Sequence, residues 1–320
     1  MRGPLLTLAA GLALAAPAAS LAQAPTQTTP PPPPPPPAPP APAAAKLALS
    51  LTGIADGGRV YVLKGAKEHV TGTLTPFVAG QQVRIALYKG RKRIGHRMVD
   101  VKQKGSNGVF SLDFGVSNAG EYTVRASHDA TAGQAAAVAK PRALGAVSPS
   151  RGGTAGRLLQ RGLHRLGYVD PNLGLALLAF RKVNKMPRST SLSRAIFKKV
   201  FAGKGTYHLR YPNAGKHVEG NLERQVVVLA DHGRAERIYH MSSGKPSTPT
   251  VRGSFRFYSK TPGTNSHEML DSNYFIGGYA IHGYPEVPTF AASHGCIRVP
   301  NSDAASIFGW IALGDRIWVY

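Results

Sequence analysis

The sequence has little cysteine and little negative charge. Its 320 residues include a single cysteine, Cys296, and 16 Asp and Glu residues against 39 Lys and Arg, which gives a formal net charge of +23. One cysteine cannot form an internal disulfide, so Cys296 is a buried small hydrophobe, half of an intermolecular bridge or a working thiol. The excess of positive charge predicts attraction to polyanions.

The sequence also lacks the elements with which proteins read nucleic acids. It contains no zinc-finger spacing, no aromatic RNP-like strand and no basic heptad helix. We therefore expect no nucleic acid partner, and we assign the positive charge to contacts with anionic wall polymers or anionic lipid head groups.

Apolar runs long enough to cross a membrane are absent too. Residues 1–24 carry Arg2, an apolar run from Leu5 to about Ala19, and the small-x-small pattern Ala22-Gln23-Ala24 that signal peptidases cut. The run is shorter than the roughly 20 residues that a membrane span needs, which favours a cleaved signal peptide over an uncleaved anchor. We therefore expect an exported protein, placed in the periplasm or cell wall.

Composition and periodicity then predict a multidomain, mainly β protein. Residues 25–45 are rich in Pro, Ala and Thr, which is typical of an extended polyproline spacer or of a tail without a role. Residues 46–140 alternate apolar and polar side chains between turns, which indicates an antiparallel Ig-like β-sandwich. Residues 148–204 have helical spacing, and residues 205–320 return to strands and should form a mixed, β-rich domain.

The sole cysteine lies in a segment that suits thiol chemistry. His282 ends a predicted strand, and the segment Ser293-His294-Gly295-Cys296 follows it. The 14 positions between His282 and Cys296 are enough for a loop to return and bring the two side chains together. An imidazole that accepts the thiol proton stabilises the reactive thiolate. Gly295 lets backbone amides approach a reacting carbonyl closely, as an oxyanion hole requires. We therefore predict that Cys296 is the nucleophile and His282 its base, with His294 shaping the turn or contacting substrate.

Two segments of the chain resemble known families. Ile281-His282-Gly283, together with Ser293 to Arg298, is similar to the signature of the L,D-transpeptidase catalytic domain, called the YkuD domain, and the likeness extends over roughly Thr206 to Tyr320. It includes Ser242 to Lys245 and Thr248 to Phe255. Residues 158–182 resemble, more loosely, the small helical peptidoglycan-binding domain, with simple helical packing as the alternative.

The resemblance implies a mechanism and a substrate. Cys296 would attack the peptide bond before the terminal D-Ala of a tetrapeptide stem, and the thioester would pass to an amine of a neighbouring stem as a 3→3 cross-link, or to water. His282 would act as the base, oriented by the backbone carbonyl of Gly283. Gly295, Ser293 and His294 would serve the oxyanion or the substrate, and Arg298 would hold a substrate carboxylate or carbonyl. Carbapenem-type β-lactams would acylate the same thiol, and no cofactor or metal is expected.

Two readings from other classes remain open. His282, His294 and Cys296 could ligate zinc in a hydrolase, although their spacing matches no zinc pattern and Asp271 and Glu286 are not placed as a general base. The chain could also be a wall-binding protein whose catalytic domain is inactive.

Overall fold

The computed structural model describes residues 41–320. The predicted signal peptide, residues 1–24, and most of the predicted Pro-rich segment, residues 25–45, lie outside the described residues. Within the described part, no helix is both long enough and apolar enough to cross a bilayer.

The described chain is mainly β, as the sequence predicts. Its strands are β1 (Lys46–Leu51), β2 (Ile54–Asp56), β3 (Arg59–Leu63), β4 (Lys67–Thr75), β5 (Gln82–Lys89), β6 (Lys92–Asp100), β7 (Lys102–Lys104), β8 (Asn107–Gly115), β9 (Gly120–His128), β10 (Ala137–Val138), β11 (Arg142–Val147), β12 (His217–Asn221), β13 (Val226–Asp231), β14 (Arg234–His240), β15 (Gly253–Arg256), β16 (Ser259–Thr264), β17 (Leu270–Ile276), β18 (Tyr279–Tyr284), β19 (Ile297–Pro300) and β20 (Arg316–Val319). The helices are α1 (Gly153–Arg165), α2 (Leu173–Val183), α3 (Arg194–Phe201) and α4 (Asn301–Trp310).

The first eleven strands form two facing sheets. One has the order β1-β4-β8-β7, and the other has the order β2-β3-β11-β9-β5-β6, with β10 paired to β9. The alternating side chains of these strands meet in one apolar core, in which Val70, Leu74, Val83 and Leu144 are almost completely buried. Most pairs are antiparallel, but β11 runs parallel to β3. The arrangement is a sandwich, and its identification as Ig-like stays a prediction.

The helical segment begins and ends at residues suited to those positions. Asn172 caps α2 by accepting a hydrogen bond from the amide of Gly174 at 2.8 Å, and Ser193 caps α3. Gly167 ends α1 with a φ of +95°, where the amides of Gly167 and Tyr168 satisfy helical carbonyls. The helical spacing of residues 148–204 predicts helices in this segment, but the sequence does not predict α4, which lies in the β-rich C-terminal part.

The C-terminal part is built on two sheets and α4. The five-stranded sheet has the order β14-β13-β12-β20-β15, and the four-stranded sheet has the order β16-β17-β18-β19. Their shared core includes Val218, Ile281, Ile297 and Ile317, all fully buried.

Strand β13 joins the helical segment to the C-terminal part. Val226 and Val228 pack in the core of α1, α2 and α3, whereas Val227 and Leu229 pack in the C-terminal core. Since alternate residues of a strand point to opposite faces, the unbroken apolar run of β13 is explained by cover on both faces. The helices therefore share a core with the strands that follow them.

Two buried carboxyl groups also lie close together, one from the helical segment and one from the C-terminal part. Asp170 precedes α2, Asp303 lies in the first turn of α4, and both side chains are 1% exposed. Burial, together with the nearby charge of Asp170, raises the pKa of Asp303 to about 8. The pair of carboxyl groups therefore retains a proton at neutral pH.

Candidate active site

The two parallel strands β18 and β19 bring the predicted histidine and cysteine to the same cleft. Ile281 pairs with Ile297, and His282 pairs with Arg298. Cys296 stands immediately before β19, so it lies one position earlier than this register, beside Ala280. Because alternate residues of a strand share a face, His282, Cys296 and Arg298 point to the same side of the sheet.

These side chains surround one open cleft of about 510 Å³. Its walls come from three segments of the chain: the loop between β16 and β17, the end of β18, and the segment that leads into β19. The lining residues are Ser266, His267, Glu268, Met269, His282, Tyr284, Ser293, His294, Cys296 and Arg298. The cleft thus joins the sole thiol to imidazoles, a guanidinium and one carboxylate.

The imidazole of His282 is held in a tautomer that can accept a proton. Its Nδ1 lies 2.9 Å from the carbonyl oxygen of Gly283. A carbonyl oxygen only accepts hydrogen bonds, so Nδ1 carries the proton and Nε2 keeps a free lone pair. Burial, and to a smaller extent the charge of Arg298, lowers the pKa of His282 to about 4. His282 is therefore a neutral base at pH 7.

The thiol of Cys296 is partly exposed and has an available hydrogen. Its Sγ lies 3.6 Å from the carbonyl oxygen of Gly278, which accepts the thiol hydrogen. Burial raises the pKa of Cys296, while the amide of Ala280 and the charge of Arg298 act in the opposite direction. In the resting state the cleft thus holds a neutral thiol and a neutral imidazole.

The bend before Cys296 is fixed by Ser293. The Ser293 hydroxyl donates to the carbonyl of Cys296 at 2.6 Å and accepts from the amide of Gly295 at 3.1 Å. Since Ser293 is fully buried and both of its functions are used inside the bend, it shapes the turn. Within the described residues the amide of Cys296 has no hydrogen-bond acceptor among the loop and side-chain contacts, which leaves it available to a ligand.

Gly295 occupies a conformation that other residues rarely adopt. Its φ is +125°, and an added Cβ would lie 2.5 Å from Cε1 of Tyr279. The carbonyl of Gly295 accepts a hydrogen bond at 2.7 Å from Thr250, whose hydroxyl in turn accepts from the amide of Gly244. The Thr-Pro segment around Thr250 thus stabilises the bend through this hydrogen bond.

Polar side chains at the rim add charge of both signs. The Arg298 guanidinium stacks on the ring of Tyr284 at 3.8 Å from the centroid, and the Tyr284 hydroxyl donates to Glu268 at 3.3 Å. Lys245 lies 3.4 Å from Nε2 of His294, which is exposed. The cleft can therefore contact both a carboxylate and an ammonium group of a ligand.

All the predicted side chains of the site line this cleft: His282, Ser293, His294, Cys296 and Arg298. Gly283 and Gly295 contribute backbone groups beside them. The sequence analysis did not find Tyr284 or Glu268. Tyr284 could have been found, because it is two residues after His282 on the same strand face. Glu268 lies in a loop, and no local pattern marks it.

Comparison with known proteins assigns a family to this part of the chain. Residues 215–319 match the YkuD family, the L,D-transpeptidase catalytic domain. Among solved structures, the L,D-transpeptidase from Xylanimonas cellulosilytica is 30% identical over 51% of this chain and 91% of that one, with a TM-score of 0.48. The catalytic domain of the E. faecium L,D-transpeptidase is 27% identical over 33% and 96%, with a TM-score of 0.29. The same domain acylated by ertapenem is 26% identical over 33% and 97%, with a TM-score of 0.30. No curated protein matches the chain.

Proposed function

The chain belongs to the L,D-transpeptidase family through the YkuD domain at residues 215–319, and we propose that it joins peptidoglycan stem peptides by 3→3 cross-links through a thioester on Cys296. The observation that carries the proposal is that the partly exposed thiol of Cys296 and the neutral imidazole of His282 line the same cleft. The hydrogen bond from Nδ1 of His282 to Gly283 leaves Nε2 as the base.

Acylation begins with proton transfer from the thiol. As Nε2 of His282 takes the proton of Cys296, the sulfur attacks the carbonyl carbon of the bond between the L-centre of the third residue and the terminal D-Ala. The resulting oxyanion accepts a hydrogen bond from the amide of Cys296. It accepts a second one from the amide of Gly295, after that amide has released the hydroxyl of Ser293. Protonated His282 then gives its proton to the departing amine of D-Ala, which leaves a thioester.

Deacylation returns the enzyme to its first state. The amine of a neighbouring stem attacks the thioester, His282 accepts the proton that the amine loses, and the released thiolate takes that proton back. Attack by water would give a carboxypeptidase, which is the alternative product of the same site. Arg298 would hold a substrate carboxylate, and its positive charge disfavours protonation of His282.

We propose two further features of the protein in its setting. Export to the periplasm or cell wall would place the enzyme on its substrate, and the net charge of +23 would favour anionic wall polymers as a second partner. Carbapenem-type β-lactams would acylate Cys296, because their strained carbonyl fits the same attack by sulfur.

Muropeptide analysis tests the proposed reaction. Purified protein incubated with disaccharide-tetrapeptide should release D-Ala and form dimers with a 3→3 bond, and Cys296→Ala should form neither. Tripeptide monomers without dimers would indicate the carboxypeptidase, and binding to sacculi without any product would indicate an inactive wall-binding protein. Activity lost with a chelator but not with a thiol-alkylating reagent would indicate the zinc hydrolase.

Mass spectrometry tests the nucleophile separately. Protein mixed with a carbapenem should gain one adduct, mapped to Cys296 after proteolysis. An unmodified mass, or an adduct on another residue, would contradict the assignment of Cys296.

A further inference from the structure

The loop that carries the nucleophile is held by its backbone carbonyls. This loop, residues 285–296, connects β18 to β19. Nε2 of His240 lies 2.9 Å from the carbonyl oxygen of Val287, and the Ser242 hydroxyl donates to the carbonyl of Phe290 at 2.6 Å. Both donors belong to the catalytic part, whereas a third donor, Arg188, belongs to the helical segment.

Arg188, in the segment after α2, reaches the same loop. Its guanidinium donates to the carbonyl of Thr289 at 2.9 Å and to the carbonyl of Glu223 at 2.8 Å. A residue of the helical segment therefore binds the loop directly, two positions after the carbonyl that His240 holds.

Lys182 of α2 holds the loop indirectly, through His240. Its Nζ lies 2.6 Å from Nδ1 of His240 and donates to the carbonyls of Gln225 and Met241, each at 3.0 Å. Because Nε2 of His240 must donate to Val287, Nδ1 has no hydrogen and accepts from Lys182. The lysine thus fixes both the tautomer and the ring orientation of His240.

A second route runs from the same lysine to the bend before Cys296. Lys182 binds the backbone of Gln225, whose side-chain amide donates to the Ser243 hydroxyl at 2.7 Å and accepts from the Ser243 amide at 2.9 Å. The carbonyl of Ser243 then accepts from the amides of Ala292 and Ser293. The side chains of Lys182, Gln225 and Ser243 along this route are all buried.

A lysine is a costly residue to place at this position. Lys182 is 3% exposed and His240 is 1% exposed, and removing an ammonium from water costs several kcal/mol. Burial and the charge of Arg188 lower the pKa of Lys182 to about 6, whereas the three acceptors around Nζ, which only an ammonium can satisfy together, favour the charged form. An apolar side chain of the same length would fill the space without that cost, which points to a role beyond packing.

We infer that Lys182 and Arg188 are positioning residues, with which the helical segment holds the loop 285–296 so that Cys296 stands beside His282. The inference rests on the proposed function for its effect on catalysis. It assigns the helices a part in the active site that does not require them to bind glycan.

Two measurements on the whole protein test the inference. Lys182→Met keeps the length of the side chain but removes the hydrogen bonds, and Arg188→Met removes the direct contact from an exposed position. Lys198→Met, on the exposed face of α3, is the matched control. Hydrogen exchange followed by mass spectrometry reports the loop, and the rate of Cys296 acylation by a carbapenem reports its alignment.

We expect local and specific changes. In Lys182→Met, the amides of residues 287–293 should exchange at least tenfold faster, while those of β12 and β13 stay as in the wild type. Acylation should slow by 10-fold to 100-fold at saturating carbapenem with the half-saturating concentration little changed, since misplacement by about 1 Å has effects of that size. Arg188→Met should show the same pattern more weakly, and Lys198→Met should show neither change.

Other results would overturn the inference. Wild-type exchange and wild-type acylation in a folded Lys182→Met variant would show that the lysine does not position the loop. Should Lys182→Met fail to fold, Arg188→Met decides in the same way. The exchange measurement needs no acylation, so it stands even where the wild type proves unreactive and the proposed function fails.

Discussion

The ionisation of Cys296 gives a prediction that separates two mechanisms of thiol activation. In many thiol enzymes the resting state is a thiolate next to an imidazolium, which is reactive before substrate binds. Here burial raises the pKa of Cys296 and lowers that of His282 to about 4. Both shifts oppose the ion pair, so the proton should stay on sulfur until a substrate is in place.

The size of the effect follows from the two pKa values. An ordinary thiol of pKa near 8.5 is about 3% ionised at pH 7, and a raised pKa makes that fraction smaller. With His282 near 4, the ion pair would make up no more than about one molecule in 10⁴ of the neutral pair, on the same reference value for the thiol. Nearly all reactive sulfur in the free enzyme is therefore thiolate formed by loss of its proton to water.

Alkylation by iodoacetamide measures this fraction directly. Because the reagent takes no proton from the thiol, its rate on Cys296 should rise about tenfold per pH unit, or about 100-fold between pH 6 and pH 8. Acylation by a tetrapeptide, in which His282 removes the proton during attack, should change little over the same range. The two profiles, followed by mass spectrometry of intact protein, should diverge.

Removing the base tests the same argument. His282→Ala should slow acylation by roughly 10²-fold to 10⁴-fold, the usual contribution of a general base, and leave the slope of the alkylation profile unchanged. His232→Ala, on the exposed turn between β13 and β14, is the control. A level alkylation rate from pH 5 to pH 8 in the wild type, lost in His282→Ala, would refute the reasoning, because it would reveal a stable ion pair.

The remaining predictions concern the bend and the carboxyl pair. Gly295→Ala should destabilise the fold by about 1–3 kcal/mol and slow acylation, since φ is +125° and the added Cβ would meet Tyr279. The control Gly309→Ala, at an open position of α4, should do neither. Wild-type stability and wild-type acylation in Gly295→Ala would contradict this account. Asp303→Asn should stabilise the protein by roughly 1–4 kcal/mol at pH 8 and much less at pH 5, as urea unfolding at the two pH values measures. The sign follows because the folded-state pKa of Asp303 is raised to about 8, so the wild type loses stability as pH rises from about 4 to 8. A difference in stability between Asp303→Asn and the wild type that is the same at pH 5 and pH 8 would refute this reasoning.

Sequence patterns predict those parts of the molecule that depend on neighbouring residues. The spacing from His282 to Cys296 predicts the pair at the centre of the cleft, since a strand and its return fix both side chains. Alternation predicts the sandwich, and the run of Leu158, Leu159 and Leu163 predicts α1. The mainly β fold and the transpeptidase family are confirmed.

The parts that escape prediction depend on contacts between distant residues. Lys182 looks like a surface lysine at the end of a helix, because its partners lie 43 to 59 positions later. Glu268 reaches the cleft only through the path of its loop. The helix α4 has no apolar stripe of helical spacing, since it packs against the sheet through few residues such as Ala304 and Ile307.

The double cover of β13 limits where the protein can be cut. A fragment that began at Thr206 would keep every residue of the cleft but would strip the helices from one side of Val226, Val228 and Ile238, all of which are fully buried in the intact chain. Those side chains would then form an exposed apolar surface, which would favour aggregation of the fragment. Any minimal active version for crystallography or inhibitor screening should accordingly start before α1, at about residue 148.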